Sequence, residues 1–145
     1  MTPAQFSAHM TKAVAALPKR LVAAEAVTLQ EAKARAILLS SGTLSTAELR
    51  RRGHPYARRN PTSPNPQIIN AQTGVLRAAY MTPPPVATAS GVTASVVNVA
   101  AYSGYLSAGT RFAIPRPLAA KVQEKMRISR LVRIAKAIQK TFYSP

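Results

Sequence analysis

The chain has no cysteine, no tryptophan and no aspartate, and its only acids are Glu25, Glu31, Glu48 and Glu124. Without Cys there is no disulfide, no thiolate metal site and no cysteine nucleophile. Without Trp, and with aromatics at 6%, the core has to come mostly from Ala, Val, Leu and Ile. The two histidines, His9 and His54, have no neighbouring Asp or Cys, so neither a triad nor a metal site is legible. Thr73-Gly74 and the Gly104 to Gly109 stretch lack the spacing and the Lys of a phosphate loop. These absences read as a non-enzyme with no cofactor and no metal.

Long apolar runs are also missing. No uncharged run of apolar residues reaches the roughly 18 that span a bilayer. The quietest one, Val86 to Leu106, is broken by Ser, Thr, Asn and Gly. Met1 to Met10 lacks the basic-then-apolar order of a signal peptide. No membrane association is expected.

What is present is length for one domain, read as residues 1–145, with 47% apolar residues and 20 Lys plus Arg for a net charge of +16. Such a chain is drawn to polyanions or to an acidic protein surface. Copies of it also repel one another, so an oligomer needs apolar contacts or an acidic neighbour.

Residues 3 to 41 read as Ala-rich helix, with Leu17, Leu21, Ala24 and Thr28 on one stripe and Val22, Ala26, Leu29, Ala36 and Leu39 on adjacent rows. Pro18 either starts a second helix or kinks a long one, and Gly42 is a good stop. Glu25 and Glu31 are expected to pair along the helix or to face solvent. Ser45 to Glu48 has capping-box spacing. A loop follows to about residue 70, held irregular by Pro55, Pro61, Pro64 and Pro66. Its start carries five arginines, Arg50, Arg51, Arg52, Arg58 and Arg59, near His54 and Tyr56.

Residues 75 to 100 read as β structure, with a hairpin of Val86 to Ala89 and Val92 to Ala100 around Ser90-Gly91. Val92, Ala94, Val96 and Asn98 share one face. Thr93, Ser95, Val97 and Val99 share the other, and neither face is strongly polar. The strand is therefore expected to be covered on both sides or to join a partner's sheet. After turns at Gly104, Gly109 and Pro115 to Pro117, residues 117 to 141 form an amphipathic helix. Leu118, Val122 and Met126 begin its apolar row, which Ile128, Leu131, Ala135, Ile138 and Phe142 continue toward the sheet. Lys121, Lys125, Arg130, Arg133, Lys136 and Lys140 lie outside.

Three segments arrive in an order that resembles a known family. Thr73-Gly74-Val75-Leu76-Arg77 follows a Pro-rich loop, then comes a Val-rich hairpin. Tyr102-Ser103-Gly104-Tyr105-Leu106-Ser107-Ala108-Gly109-Thr110-Arg111 follows, and Pro117-Leu118 opens the last helix. In this the chain resembles the neck proteins of long-tailed bacteriophages, that is, the head–tail joining and tail-completion, or tail-terminator-like, proteins. That family shows a Thr-Gly-x-Leu-Arg turn, a Tyr-Ala-x-x-x-Glu-x-Gly-Thr segment and an Arg-Pro-Phe-like start to the last helix. Here Ser107 and Ala108 stand where acidic or bulky residues are usual, Leu118 replaces Phe, and the Arg50 to Arg59 cluster has no family counterpart.

The fold expected is α+β: a small antiparallel β-sheet packed by a long N-terminal helix and a C-terminal amphipathic helix. The resemblance implies a structural virion protein made in the host bacterial cytoplasm. It would form a ring, of six copies by first preference and twelve by second, between the head connector or head-completion protein and the tail tube protein, with DNA passing through the channel. Thr73, Gly74, Leu76, Tyr105, Gly109, Thr110 and Pro117 would be its structural motif residues, with Leu76 and Tyr105 packed under the sheet. Arg50, Arg51, Arg52, Arg58, Arg59, Arg77 and Arg111 are the interface candidates. The Arg-rich loop has two targets, an acidic neighbour gripped by guanidinium forks or non-specific contact with DNA, and the first is favoured. The rival reading is a basic RNA-binding protein of ribosomal type, which a Val-rich segment without an aromatic stacking platform fits poorly.

Overall fold

The computed structural model describes residues 2–42, 51, 69, 74–111 and 115–143. The fold is α+β. Its elements are α1 (Pro3–Leu39), α2 (Val75–Ala78), β1 (Tyr80–Met81), β2 (Val86–Thr88), β3 (Gly91–Thr93), β4 (Val97–Asn98), α3 (Ser103–Ala108) and α4 (Leu118–Phe142). The β structure is two antiparallel ribbons, β1 with β4 and β2 with β3, in place of one sheet. The expected strand from Val92 to Ala100 is interrupted at residues 94–96, and its two halves take different partners.

The chain divides into two compact units, and both long helices contribute to each. The first unit comprises Met1–Glu31, Thr82–Ser95 and Met126–Pro145. Helix α1 starts on a reciprocal cap: the Gln5 amide donates to Thr2 Oγ1 (3.3 Å) and the Thr2 amide donates to Gln5 Oε1 (2.8 Å), with Pro3 in the first turn, where its missing N–H costs nothing. The helix continues through Pro18. The loss of one backbone bond there, about 3 kcal/mol in a helix interior, is offset by tertiary burial along the helix. The expected stripe turns inward: Leu17, Leu21 and Ala24 are half-buried and Thr28 is buried.

The same unit holds the β2–β3 hairpin, in register Val86↔Thr93, Ala87↔Val92 and Thr88↔Gly91. Gly91 has φ 149, a backbone that L side chains avoid. Nearly every hairpin residue is exposed, with Val92 half-buried.

The second unit comprises Ala32–Met81 and Val96–Lys125. Its centre is Ile69, Leu76 and Ala100, with Ala79, Leu106 and Leu118 against them. Ile69 ties down the end of α1: its amide donates to Leu39 O (2.8 Å), and its carbonyl accepts from the Gly42 amide (3.0 Å). The β1–β4 ribbon pairs Tyr80 with Asn98 and Met81 with Val97. From Val92 to Ala100 burial alternates, with Val92, Ala94, Val96 and Asn98 turned inward and Thr93, Ser95, Val97 and Val99 exposed. One set is thus half-buried and the other exposed, so of the two expected alternatives, cover on both sides is not seen among the described residues.

Helix α4 departs most from expectation. Leu118, Val122 and Met126 do turn inward and Phe142 is half-buried as expected, but between them the inward positions are Ser129, Arg133, Ile134, Ala137 and Thr141. Ile128 is 75% exposed and Leu131 58%, and Val132 and Ile138 are exposed with them. The reason is electrostatic. Arg130 and Arg133 reach Glu25 and Glu31 of α1, so two of the chain's four acids decide which way the helix rolls. This also corrects the expectation that those glutamates pair along their own helix or face water.

Candidate functional site

Of the motif residues, Leu76 lies in the core cluster, where Leu106 and Leu118 of the neighbouring motif segments pack against it. Gly74 caps α2 with φ 77, in the left-handed region where glycine is favoured. That turn drops Leu76 into the core and leaves Arg77 exposed on the last turn. Thr73 lies outside the described residues.

The link from α2 to the following motif is Asn98. Its Nδ2 donates to Leu76 O (2.8 Å), and its Oδ1 accepts from the Ala100 amide (3.0 Å). Its own carbonyl accepts from Ser103 Oγ (3.3 Å), at the start of α3. One side chain therefore fixes the Thr-Gly turn against the chain entering the Tyr-Ser-Gly-Tyr segment. The sequence reading placed Asn98 on a strand face and gave it no role, although a lone amide on the inward face of a Val-rich strand has to find partners. A second bracket, Tyr80 Oη to Ser40 Oγ (3.1 Å), joins β1 to the end of α1 and was also missed.

In α3 it is Leu106 that packs against the core, while Tyr105 is 68% exposed. This corrects the placement of Tyr105 under the sheet: adjacent helical positions differ by about 100°, so only one of the two can face inward. Gly109 ends α3 with φ 77. Thr110 is half-buried and Arg111 exposed. Pro117 is exposed beside Arg116, whose side chain is buried and whose amide donates to Leu106 O (2.9 Å). Pro115 and Pro117 thus bracket a residue that closes α3 onto the start of α4.

Among the interface candidates, Arg51 is helical and exposed. Arg50, Arg52, Arg58 and Arg59 lie outside the described residues, as do the Ser45 to Glu48 cap and the Pro-rich loop apart from Ile69. Gly42 and Ile69, which lie on either side of these arginines in sequence, are joined by a backbone hydrogen bond.

Charge elsewhere is organised by the pairing of α1 with α4. Arg130 Nε donates to Glu25 Oε1 (2.8 Å), and the Glu25 side chain is 5% exposed. Arg133 pairs with Glu31. Arg20 donates to the Lys140 carbonyl, and His9 Nε2 lies 3.4 Å from Phe142 O. Among the described residues, no group of three or more His, Asp or Glu gathers as a metal site, and no helix is long and apolar enough to cross a membrane. This arrangement provides hydrogen-bonded brackets, ion pairs and exposed apolar surface.

No protein-family model, no curated protein and no solved structure matches the chain.

Proposed function

We propose that this chain is a non-enzymatic structural virion protein that forms a ring at the head–tail junction of a long-tailed bacteriophage. There it completes the tail and joins it to the head connector, and DNA passes through its channel. One observation carries the reading. The segments that resemble the neck and tail-completion family converge in a single cluster: Leu76 from the Thr-Gly turn, Leu106 from the Tyr-Ser-Gly-Tyr segment and Leu118 from the last helix pack around Ile69 and Ala100. Residues far apart in sequence are thus used together, as the remains of one shared core would be.

The energetics favour a protein that works in company. Four of the eleven buried apolar residues among those described are Ala, at 13, 32, 36 and 100, and exposed large apolar side chains outnumber buried ones. Alanine burial contributes little, at about 25 cal/mol per Å² of apolar area. Both ribbons have only two strands, so each has free edges among the described residues, and a lone two-stranded hairpin is marginal in water. Edge pairing between copies would close a ring and remove those edges. The ribosomal-type alternative loses ground because Arg130 and Arg133 on the last helix are engaged with Glu25 and Glu31.

The test is copy number and position in particles. Virions made by a host carrying the gene should bind antibody to this chain at the head–tail junction, and quantitative mass spectrometry should find a ring's complement per particle. A chain absent from purified virions, or present as a single copy, overturns the ring. Co-purification with ribosomal RNA instead would favour the alternative.

A further inference from the structure

We infer that the outer face of α4, from Ile128 to Ile138, is a docking surface for an acidic amphipathic helix of a partner protein. The inference is independent of the ring reading and uses other residues. Ile128, Leu131, Ala135 and Ile138 follow one another at spacings of three, four and three, the a and d positions of a heptad seam. Val132 lies beside them. All five are exposed. At about 1.5 Å per residue the seam is roughly 15 Å long. Ala135 makes a notch between Leu131 and Ile138, the small-between-large relief into which a neighbouring helix inserts a side chain.

This face is not a core surface turned the wrong way. Ser129, Arg133 and Ala137 occupy the opposite side of the helix and are half-buried, with Thr141 buried beyond them. The pairs Arg130–Glu25 and Arg133–Glu31 fix the helix about its axis. Rolling α4 to bury Leu131 would break both pairs and take Arg133 into water on the far side.

Charge identifies the occupant. On a helical projection Arg127 flanks Leu131 and Ile138 on one side, and Lys136 flanks Val132 on the other. Both are exposed, and no acid occurs between residues 126 and 142. A second copy would set these cations against their equivalents, each on a chain of +16. A helix with Leu or Ile on its seam and Glu or Asp on its flanks satisfies both the stripe and the rim. A lipid surface matches the charge but not the relief. Interfacial helices present a broad face rich in Trp, Phe and Leu, and this exposed seam is narrow and notched, with Phe142, the next residue of its row, half-buried.

The experiment uses the full-length chain and two synthetic helical peptides of about three heptads. Both carry Leu at a and d, and they differ in having Glu or Lys at e and g. Fluorescence anisotropy should show binding of the Glu peptide and none of the Lys peptide. Leu131→Asp and Ile138→Asp should each weaken binding by at least about tenfold while far-UV circular dichroism and Tm stay at the wild-type values. Arg127→Glu with Lys136→Glu should transfer the preference to the Lys peptide. Equal binding of both peptides, or wild-type affinity in Leu131→Asp, overturns the proposal. So does binding of phosphatidylserine vesicles alone, or self-association of the chain that Leu131→Asp abolishes. Unfolding of Leu131→Asp would overturn it too, because the face would then be core. Ala135→Arg, which fills the notch without entering the fold, gives a second reading of the same surface.

Discussion

Asn98 and Gly74 show how little chemistry is needed to place this chain's turns. Asn98 bonds Leu76 O and the Ala100 amide at once. Asn98→Ala leaves both groups to seek water in a half-buried position and should cost about 1–3 kcal/mol, read as a lower urea midpoint at unchanged m. Asn98→Asp should be nearly as costly, since a carboxylate cannot donate to Leu76 O. At Gly74 an added Cβ would meet only Arg77 Nη2, at 4.0 Å, so space is not the obstacle. The positive φ is, and Gly74→Ala should destabilise by about 1–2 kcal/mol in the same unfolding experiment.

At the scale of elements, the pairing of α1 with α4 ranks substitutions in an order that hydrophobicity alone would reverse. Leu131 lies on the open face, so Leu131→Asp should cost under about 1 kcal/mol. Met126 is buried, so Met126→Asp should cost on the order of 3 kcal/mol or more. Arg130→Ala removes the cation from a Glu25 carboxylate that is almost wholly out of water, and about 2 kcal/mol is expected once the half-exposed Arg130 is allowed for. Glu25→Gln should be milder, because Arg130 can turn back to solvent. Thermal melts of these four variants test the assigned face. Equal losses for Leu131→Asp and Met126→Asp would refute it.

At the scale of the whole molecule, the open questions concern neighbours. Five arginines, Arg50, Arg51, Arg52, Arg58 and Arg59, fall in the stretch of sequence between Gly42 and Ile69. A protein dock built on bidentate carboxylate pairing should fail when all five become Lys, because a point charge cannot replace the guanidinium fork. Contact with DNA should survive that change and weaken with salt, at a log–log slope of about −0.9 per phosphate neutralised. Counting joined particles assembled with the all-Lys variant separates the two. We expect joining to fall sharply, and normal joining would leave simple electrostatics as the better account.

The sequence by itself determined what local rules control. Alanine content marked residues 3 to 41 as helical but did not say whether Pro18 divides them; the helix runs unbroken from Pro3 to Leu39. Pro117 and the row Leu118, Val122 and Met126 announced the last one, and Ser90-Gly91 announced the hairpin. A period of two separated Val92, Ala94, Val96 and Asn98 from Thr93, Ser95, Val97 and Val99, but neither set is strongly polar, so it did not say which turns inward. Only the tertiary structure decided which face of α4 is inside and where the strand after the hairpin finds its partner. The apolar count along α4 pointed to Ile128, Leu131 and Ile138. Two glutamates about a hundred residues earlier in the chain pulled the helix the other way. Local pattern measures how apolar a face is. It does not register a distant carboxylate, and when a cationic chain has only four acids, where those acids lie decides which arginines can be turned inward.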